Sequence, residues 1–369
     1  MKKLLLVLVL LGTITNLFAQ KIVNADFIGS FNEGVAPFTL ENKWGFIDTE
    51  GKVIIEPKYV YGFDTPFCNN GMILLNNPEK DAWGYFDNKG KLIVDFTFYS
   101  ASPFHDTLAA SYDNTDHPHW RFINKKGEVV VKEFKNWHSY STILKEGRAR
   151  YNFDFKYGYV NEKGISVIEN KYEDVRDFSE GLAAVKLNDK WGFIDKEGKV
   201  IIDFKFTNEP QSFSNGRTFV QGQNFLFALM DNTGKIIVDP KYKTVFPFNE
   251  GFAPVSYINE KGKTVWEIID INGKPVKQFI QTGKEKDKIE FYSGFSEGLA
   301  VAQQGYGANR GYIDTKGKVI IDFKFAMNIK PFNSGRAYAE FYDKKTNKMT
   351  KGFIDNKGKF VITIEKPMF

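Results

Sequence analysis

Cysteine is nearly absent: Cys68 stands alone among 369 residues. No intramolecular disulfide can form, so the fold rests on packing and hydrogen bonds even in an oxidising compartment. An excess of one charge is missing too. Lys and Arg number 50 against 45 Asp and Glu, a formal charge of +5, with both signs interspersed. A dedicated nucleic-acid binder carries a basic stripe, and none is visible, so no nucleic-acid partner is expected. Long stretches of helical periodicity are lacking. Past the first twenty residues no apolar run approaches the ~20 residues that a spanning helix requires, so the mature chain is expected to have no membrane span.

Those first twenty residues, MKKLLLVLVLLGTITNLFAQ, start basic, run apolar from Leu4 to Leu11 and reach the small residue Ala19. This pattern predicts a cleavable secretory signal over residues 1–19, with cleavage near Ala19. The expected location is the periplasm, the outer membrane or the outside of the cell.

Aromatic residues and glycine are abundant, and they recur. The stretch KWGFIDTEGKVII at Lys43–Ile55 returns as KWGFIDKEGKVII at Lys190–Ile202 and as NRGYIDTKGKVII at Asn309–Ile321. Aligned on the acidic turn, nine units open at Asp48, Asp87, Asn124, Asn161, Asp195, Asp231, Asp270, Asp314 and Asp355. Each has glycine three residues later, among them Gly51, Gly90, Gly198 and Gly273. Asp or Asn opening a type I turn accepts a hydrogen bond from the backbone two residues on, and glycine in fourth place supplies positive φ. The motif therefore reads as a hairpin turn. Calcium would need six to eight oxygen ligands, whereas each loop offers one dependable carboxylate.

Alternating residues before the turn and a β-branched run after it predict strands, and GLAAVKLNDK upstream a third. A second signature, FNEG or FSEG (Phe31, Phe178, Phe213, Phe248, Phe295, Phe332), reads as an anchored turn whose ring plugs the core between neighbours. The residue four before each acidic turn is tryptophan in five units: Trp44, Trp83, Trp120, Trp191 and Trp266. Core packing against neighbouring units accounts for them better than ligand stacking.

These tandem KWGFIDxxGKVII…F(S/N)EG units resemble the WG-repeat (KWG-repeat) family, common in bacterial and often exported proteins. The resemblance runs from about Phe31 to the C-terminus. It implies an all-β repeat architecture and a binding or scaffolding role, with no shared catalytic site and no functional residue set to carry over. The third, sixth and seventh units depart from the motif, and the eighth and ninth replace tryptophan with Arg310 and Lys351.

The expected fold is accordingly all-β, a tandem array of nine three-stranded antiparallel meanders. Their approximate bounds are 31–66, 67–103, 104–143, 144–177, 178–212, 213–247, 248–294, 295–331 and 332–369, within an array spanning 20–369. Because nine units exceed the 4–8 blades of usual propellers, an open, curved or superhelical solenoid is expected, with a closed propeller-like arrangement as the alternative.

Little chemistry stands outside the repeat. The pair His117-x-His119 offers two metal ligands without an identifiable third, and reads as a polar loop around Pro118. GYGANRG at Gly305–Gly311 has the wrong spacing for a dinucleotide loop. Trp137, His138 and Tyr140 lie in a link instead of a repeat strand; they read as core plugs of an irregular unit or, as the one speculative binding patch, as exposed contact residues. No cofactor, metal site or catalytic residue is expected. The reading is a secreted or periplasmic non-catalytic scaffold with an unidentified protein or glycan partner, the alternative being a glycan-binding or glycan-active envelope enzyme.

Overall fold

The nine acidic turns form as their chemistry dictates. In the computed structural model Asp48 Oδ1 accepts the N–H groups of Glu50 and Lys52 at 3.0 and 2.9 Å, and the Gly51 N–H returns to the Asp48 carbonyl at 2.9 Å. The same side-chain pair recurs in all eight other turns. Gly51, Gly90, Gly198 and Gly273 have φ of 78°, 83°, 84° and 73°, a region that glycine enters without strain. The structure describes residues 21–365 except 63–64, 113–119, 132–138, 223, 285–287, 306 and 308.

The described residues are all β, with no helix. In the first unit β1 (Lys21–Asn24) precedes a short β2 (Phe27–Ile28), then β3 (Val35–Leu40), β4 (Lys43–Asp48) and β5 (Val53–Tyr59). Strands β2 to β5 make one antiparallel sheet in sequence order. The links between units are thus not wholly irregular. In seven blades two to seven residues of the link pair with the next long strand and add a fourth strand where three were expected; the sixth sheet has three, and the fourth strand of the ninth is β1, on the opposite edge.

The register explains the glycine after the tryptophan. Trp44 pairs with Tyr59 and Phe46 with Ile55, so β5 bulges opposite Gly45. A Cβ on Gly45 would meet the Ile55 carbonyl oxygen at 2.5 Å and a Phe38 ring carbon at 2.8 Å. A ring therefore lies over this glycine, but the closer obstacle is backbone. In the seventh unit the third strand runs without that bulge (Trp266 opposite Phe279, Glu267 opposite Gln278), and the position accepts Glu267.

The open array expected from the unit count is overturned. Nine blades in an open row have eight junctions, whereas the described residues form nine hydrophobic clusters, each shared by two neighbouring sheets. The ninth joins the two ends of the chain: Val23, Phe31, Phe38 and Ile47 pack with Phe353 and Ile362. There β1 lies parallel to the last strand (Phe360–Glu365), Ile22 opposite Thr363 and Asn24 opposite Glu365. The molecule is a closed nine-bladed β-propeller.

Two repeated contacts show why the ring closes. The acidic residue before the glycine of one link turn accepts from the next turn's backbone: Glu146 takes the N–H of Glu180 and Gly181 at 2.7 and 3.0 Å, and Glu180 takes those of Asn215 and Gly216 at 2.7 Å each. At the seam Ser334 Oγ accepts the Gly34 N–H at 2.9 Å. An arginine after the turn glycine reaches the next blade's acidic turn: Arg148 Nε to the Lys196 carbonyl at 3.1 Å, and at the seam Arg336 Nε to the Thr49 carbonyl at 2.9 Å. Blade number was the wrong guide. Each junction turns the chain by about a ninth of a circle, and that angle is set by side-chain packing that a count of units does not contain.

The plugging phenylalanines behave as the turn signature implies. Phe178 and Phe213 are buried and meet Tyr159 and Phe193 edge-on at 4.8 and 4.9 Å. In the second blade Cys68 takes this plug position. Burial, then the Glu33 carboxylate beside it, pushes its thiol pKa up to about 12.

Candidate functional site

The tryptophan position sits where the second long strand of a blade begins, on the face opposite the acidic and FxxG turns. Its ring fills the space between that strand and the incoming link. Trp191 and Trp266 are buried, while Trp44 and Trp83 are half-buried. Partners come from the link: Phe27 edge-on to Trp44 at 5.9 Å, Tyr61 to Trp83 at 5.6 Å, and the Arg176 guanidinium over Trp191 at 4.8 Å. The eighth blade inverts the pair, with the Arg310 guanidinium 3.6 Å from the Tyr292 ring centroid.

In the ninth blade Lys351 stands at this position and no large ring replaces the tryptophan. A cavity of about 880 Å³ opens between the ninth blade and the first. Its floor includes Ala25, Ile28 and Ile364, and Phe27, itself 48% exposed, lines it as well. Asn328, Lys330, Glu340 and Lys351 reach it from the ninth blade, Asp26 and Ser30 from the first.

Glu340 is the organised group. On the neighbouring strand it pairs directly with Lys351. Its Oε1 accepts from Tyr338 Oη at 2.7 Å and Asn328 Nδ2 at 3.2 Å, and the Lys351 ammonium lies 3.4 Å away. Burial pulls the carboxyl pKa up, but these three donors together outweigh it and hold the group below the ordinary carboxylate range. Tyr338 is pushed the other way, by burial first and by Glu340 second, and remains a phenol donor. Glu340 Oε2 takes no hydrogen bond from the described residues. Asp26 is tied down as well, its Oδ2 accepting the Glu41 N–H at 2.9 Å. The arrangement holds an ionised, oriented acceptor beside an ammonium and an aromatic ring, and no cysteine or histidine lines it.

The sequence patch of Trp137, His138 and Tyr140 does not contribute to this picture. Trp137 and His138 lie outside the described residues, as does the Tyr140 side chain; the Tyr140 backbone belongs to the strand Ser139–Lys145. His117 and His119 are outside them too. Among the described residues no cluster of three metal-ligating side chains occurs, and no helix is long and apolar enough to cross a membrane. Lys351 was legible in the sequence as a departure from the repeat. Glu340 was not, because only the strand register sets it opposite Lys351.

The motif family described as WG containing repeat matches residues 26–44, 44–75, 83–110, 157–191, 191–224, 227–261 and 311–344, together more than half of the chain. The chain belongs to the WG-repeat family. No curated protein matches it in sequence. Among solved structures, this WG-repeat chain is similar to a eukaryotic initiation factor at 11% identity and a TM-score of 0.55, over 92% of this chain and 96% of that one. That likeness shows the propeller fold and nothing of function. Kluyveromyces lactis Hsv2 (8% identity, TM-score 0.33, covering 91% and 98%) and Citrobacter koseri AztD (12%, 0.34, covering 83% and 87%) are more distant.

Proposed function

We propose that this WG-repeat propeller is an exported, non-catalytic binding protein. A closed ring of repeats offers two broad faces, which suits a scaffold or binding role. The observation that carries the non-catalytic half is the state of the seam carboxylates. A glycan hydrolase needs a general acid whose pKa is raised toward neutrality, paired with a second free carboxylate. Glu340 and Asp26 do share one cavity, which keeps the enzyme alternative in view. Yet Glu340 is held ionised by three donors, and one oxygen of Asp26 is committed to a hairpin backbone. The arrangement supports recognition more than proton transfer. Export rests on the basic and apolar leader ending at Ala19.

The test is expression of the full chain in a bacterial host, followed by fractionation, N-terminal mass analysis and incubation with oligosaccharides. The expected result is a chain beginning at Gln20 outside the cytoplasm that releases no reducing ends. A cytoplasmic chain retaining Met1 would overturn the export half, and oligosaccharide cleavage abolished by Glu340→Gln would overturn the non-catalytic half.

A further inference from the structure

We infer that the seam cavity is a saccharide site, taking a neutral, multiply hydroxylated ligand of about one or two sugar rings. The inference rests on the binding reading above and names its ligand class. Its volume of about 880 Å³ falls in the range of small-molecule sites. Its charges balance: Asp26 and Glu340 face Lys330 and Lys351, so neither an anion nor a cation gains from the sum. A phosphate site would show surplus positive charge, and a divalent cation needs several oxygens converging on one point. Neither is present among the described residues.

Balanced charges held as fixed donors and acceptors match hydroxyl groups, because each hydroxyl both donates and accepts. Glu340 Oε2 is a free acceptor on a carboxylate whose other oxygen is fixed by Tyr338, Asn328 and Lys351. The Lys351 and Lys330 ammonium groups and the Ser30 hydroxyl supply donors around the same space. Phe27 provides the apolar component. Trp44 holds it edge-on at 5.9 Å, and its exposed side borders the cavity, where the C–H face of a sugar ring would lie. The repeat itself accounts for the site's location. Where five other blades place a tryptophan, the ninth has a lysine, and the vacated space adjoins the seam.

The experiment titrates the full mature chain with maltose, cellobiose and lactose, and with inorganic phosphate and free lysine as charged controls, read by saturation-transfer NMR and calorimetry. At least one disaccharide should bind saturably and more tightly than either control. Glu340→Gln should weaken it by about tenfold or more through loss of the charged acceptor. Lys351→Trp, which restores the residue usual in the repeat, should abolish binding by filling the cavity, and Phe27→Ala should weaken it. Melting curves identify which variants fold, and the folded ones decide. Binding of phosphate or lysine in preference to every disaccharide would overturn the proposal. So would disaccharide binding unchanged in a folded Lys351→Trp, or no disaccharide binding at all. These failures leave the scaffold reading standing, whereas turnover of a bound disaccharide would refute the non-catalytic reading and keep the site.

Discussion

The junction between the fourth and fifth blades and the seam between the ninth and the first do the same mechanical task with different chain connectivity. At the former a continuous link carries Phe178 into the core, Glu146 bonds the next turn, and Arg148 reaches the Lys196 carbonyl. At the seam the chain instead runs from β1, the edge strand of the ninth sheet, into β2 of the first, and Phe31, Ser334 and Arg336 make the corresponding contacts. Closure therefore uses the repeat's own interface, completed by β1 lying against the last strand. The difference shows at the tryptophan position: the fifth blade fills it with buried Trp191, and the ninth leaves a cavity beside Lys351. The cavity lies at the junction to which both ends of the chain contribute.

The largest test of that equivalence is removal of the plug from each junction. Phe31→Ala and Phe178→Ala should each cost ~3–5 kcal/mol, since both rings are buried in comparable clusters. Chemical denaturation measures both; a near-neutral Phe31→Ala would show that the seam is not a junction like the others. Next in size, Arg336→Ala and Arg148→Ala should each cost ~1–2 kcal/mol, because each strands a turn carbonyl that a guanidinium now satisfies. A large cost for Arg148→Ala beside none for Arg336→Ala would again separate seam from interior.

A smaller effect of opposite sign distinguishes the hairpin tips of two blades. In the fifth blade the second turn residue, Asp189, has φ of 57°; in the fourth the same place holds Phe155 at the same φ, 89% exposed. Left-handed backbone costs a bulky residue ~1–2 kcal/mol, and Asn tolerates it better. Phe155→Asn should accordingly raise stability by up to ~1 kcal/mol, read as a higher melting temperature. Destabilisation would mean that the ring makes contacts its exposure does not show.

The smallest effect is acid sensitivity. Burial, the largest influence on Glu146, pushes its pKa up, but Lys196 and the N–H groups of Gly181 and Glu180 more than offset it and the net shift is downward. A carboxylate depressed in the folded state contributes stability above its unfolded pKa and loses it as pH falls through the folded value. Below pH ~4 the Glu146–Gly181 link should therefore weaken. The seam's Ser334–Gly34 link has no such titration. Hydrogen exchange should show Gly181 losing protection on acidification before Gly34 does; simultaneous loss would mean that the blades unfold together before the link is protonated.

Local chemistry was legible in the sequence because it is carried by adjacent residues. Asp195 and Gly198 specify their hairpin, and Phe178 with Gly181 specify theirs, from spacing alone. The fourth strand was missed because segments such as Phe27–Ile28 are two residues long and carry no alternation to read. Closure was missed because it depends on the sum of nine junction angles. The cavity was half legible: Lys351 marks the missing ring, but Glu340, Asn328 and Asp26 meet it only after the register is set and the ends are joined.

The central claim is that the two ends of the chain are strand neighbours. It is tested by spin labels at Asn24→Cys and Glu365→Cys, two exposed residues paired between the first and last strands; the shielded thiol of Cys68 should stay unlabelled. Adjacent strands lie ~5 Å apart, so the doubly labelled protein should show strong dipolar broadening that vanishes on unfolding. A spectrum equal to the sum of the two single-label spectra in the folded protein would contradict the closed ring.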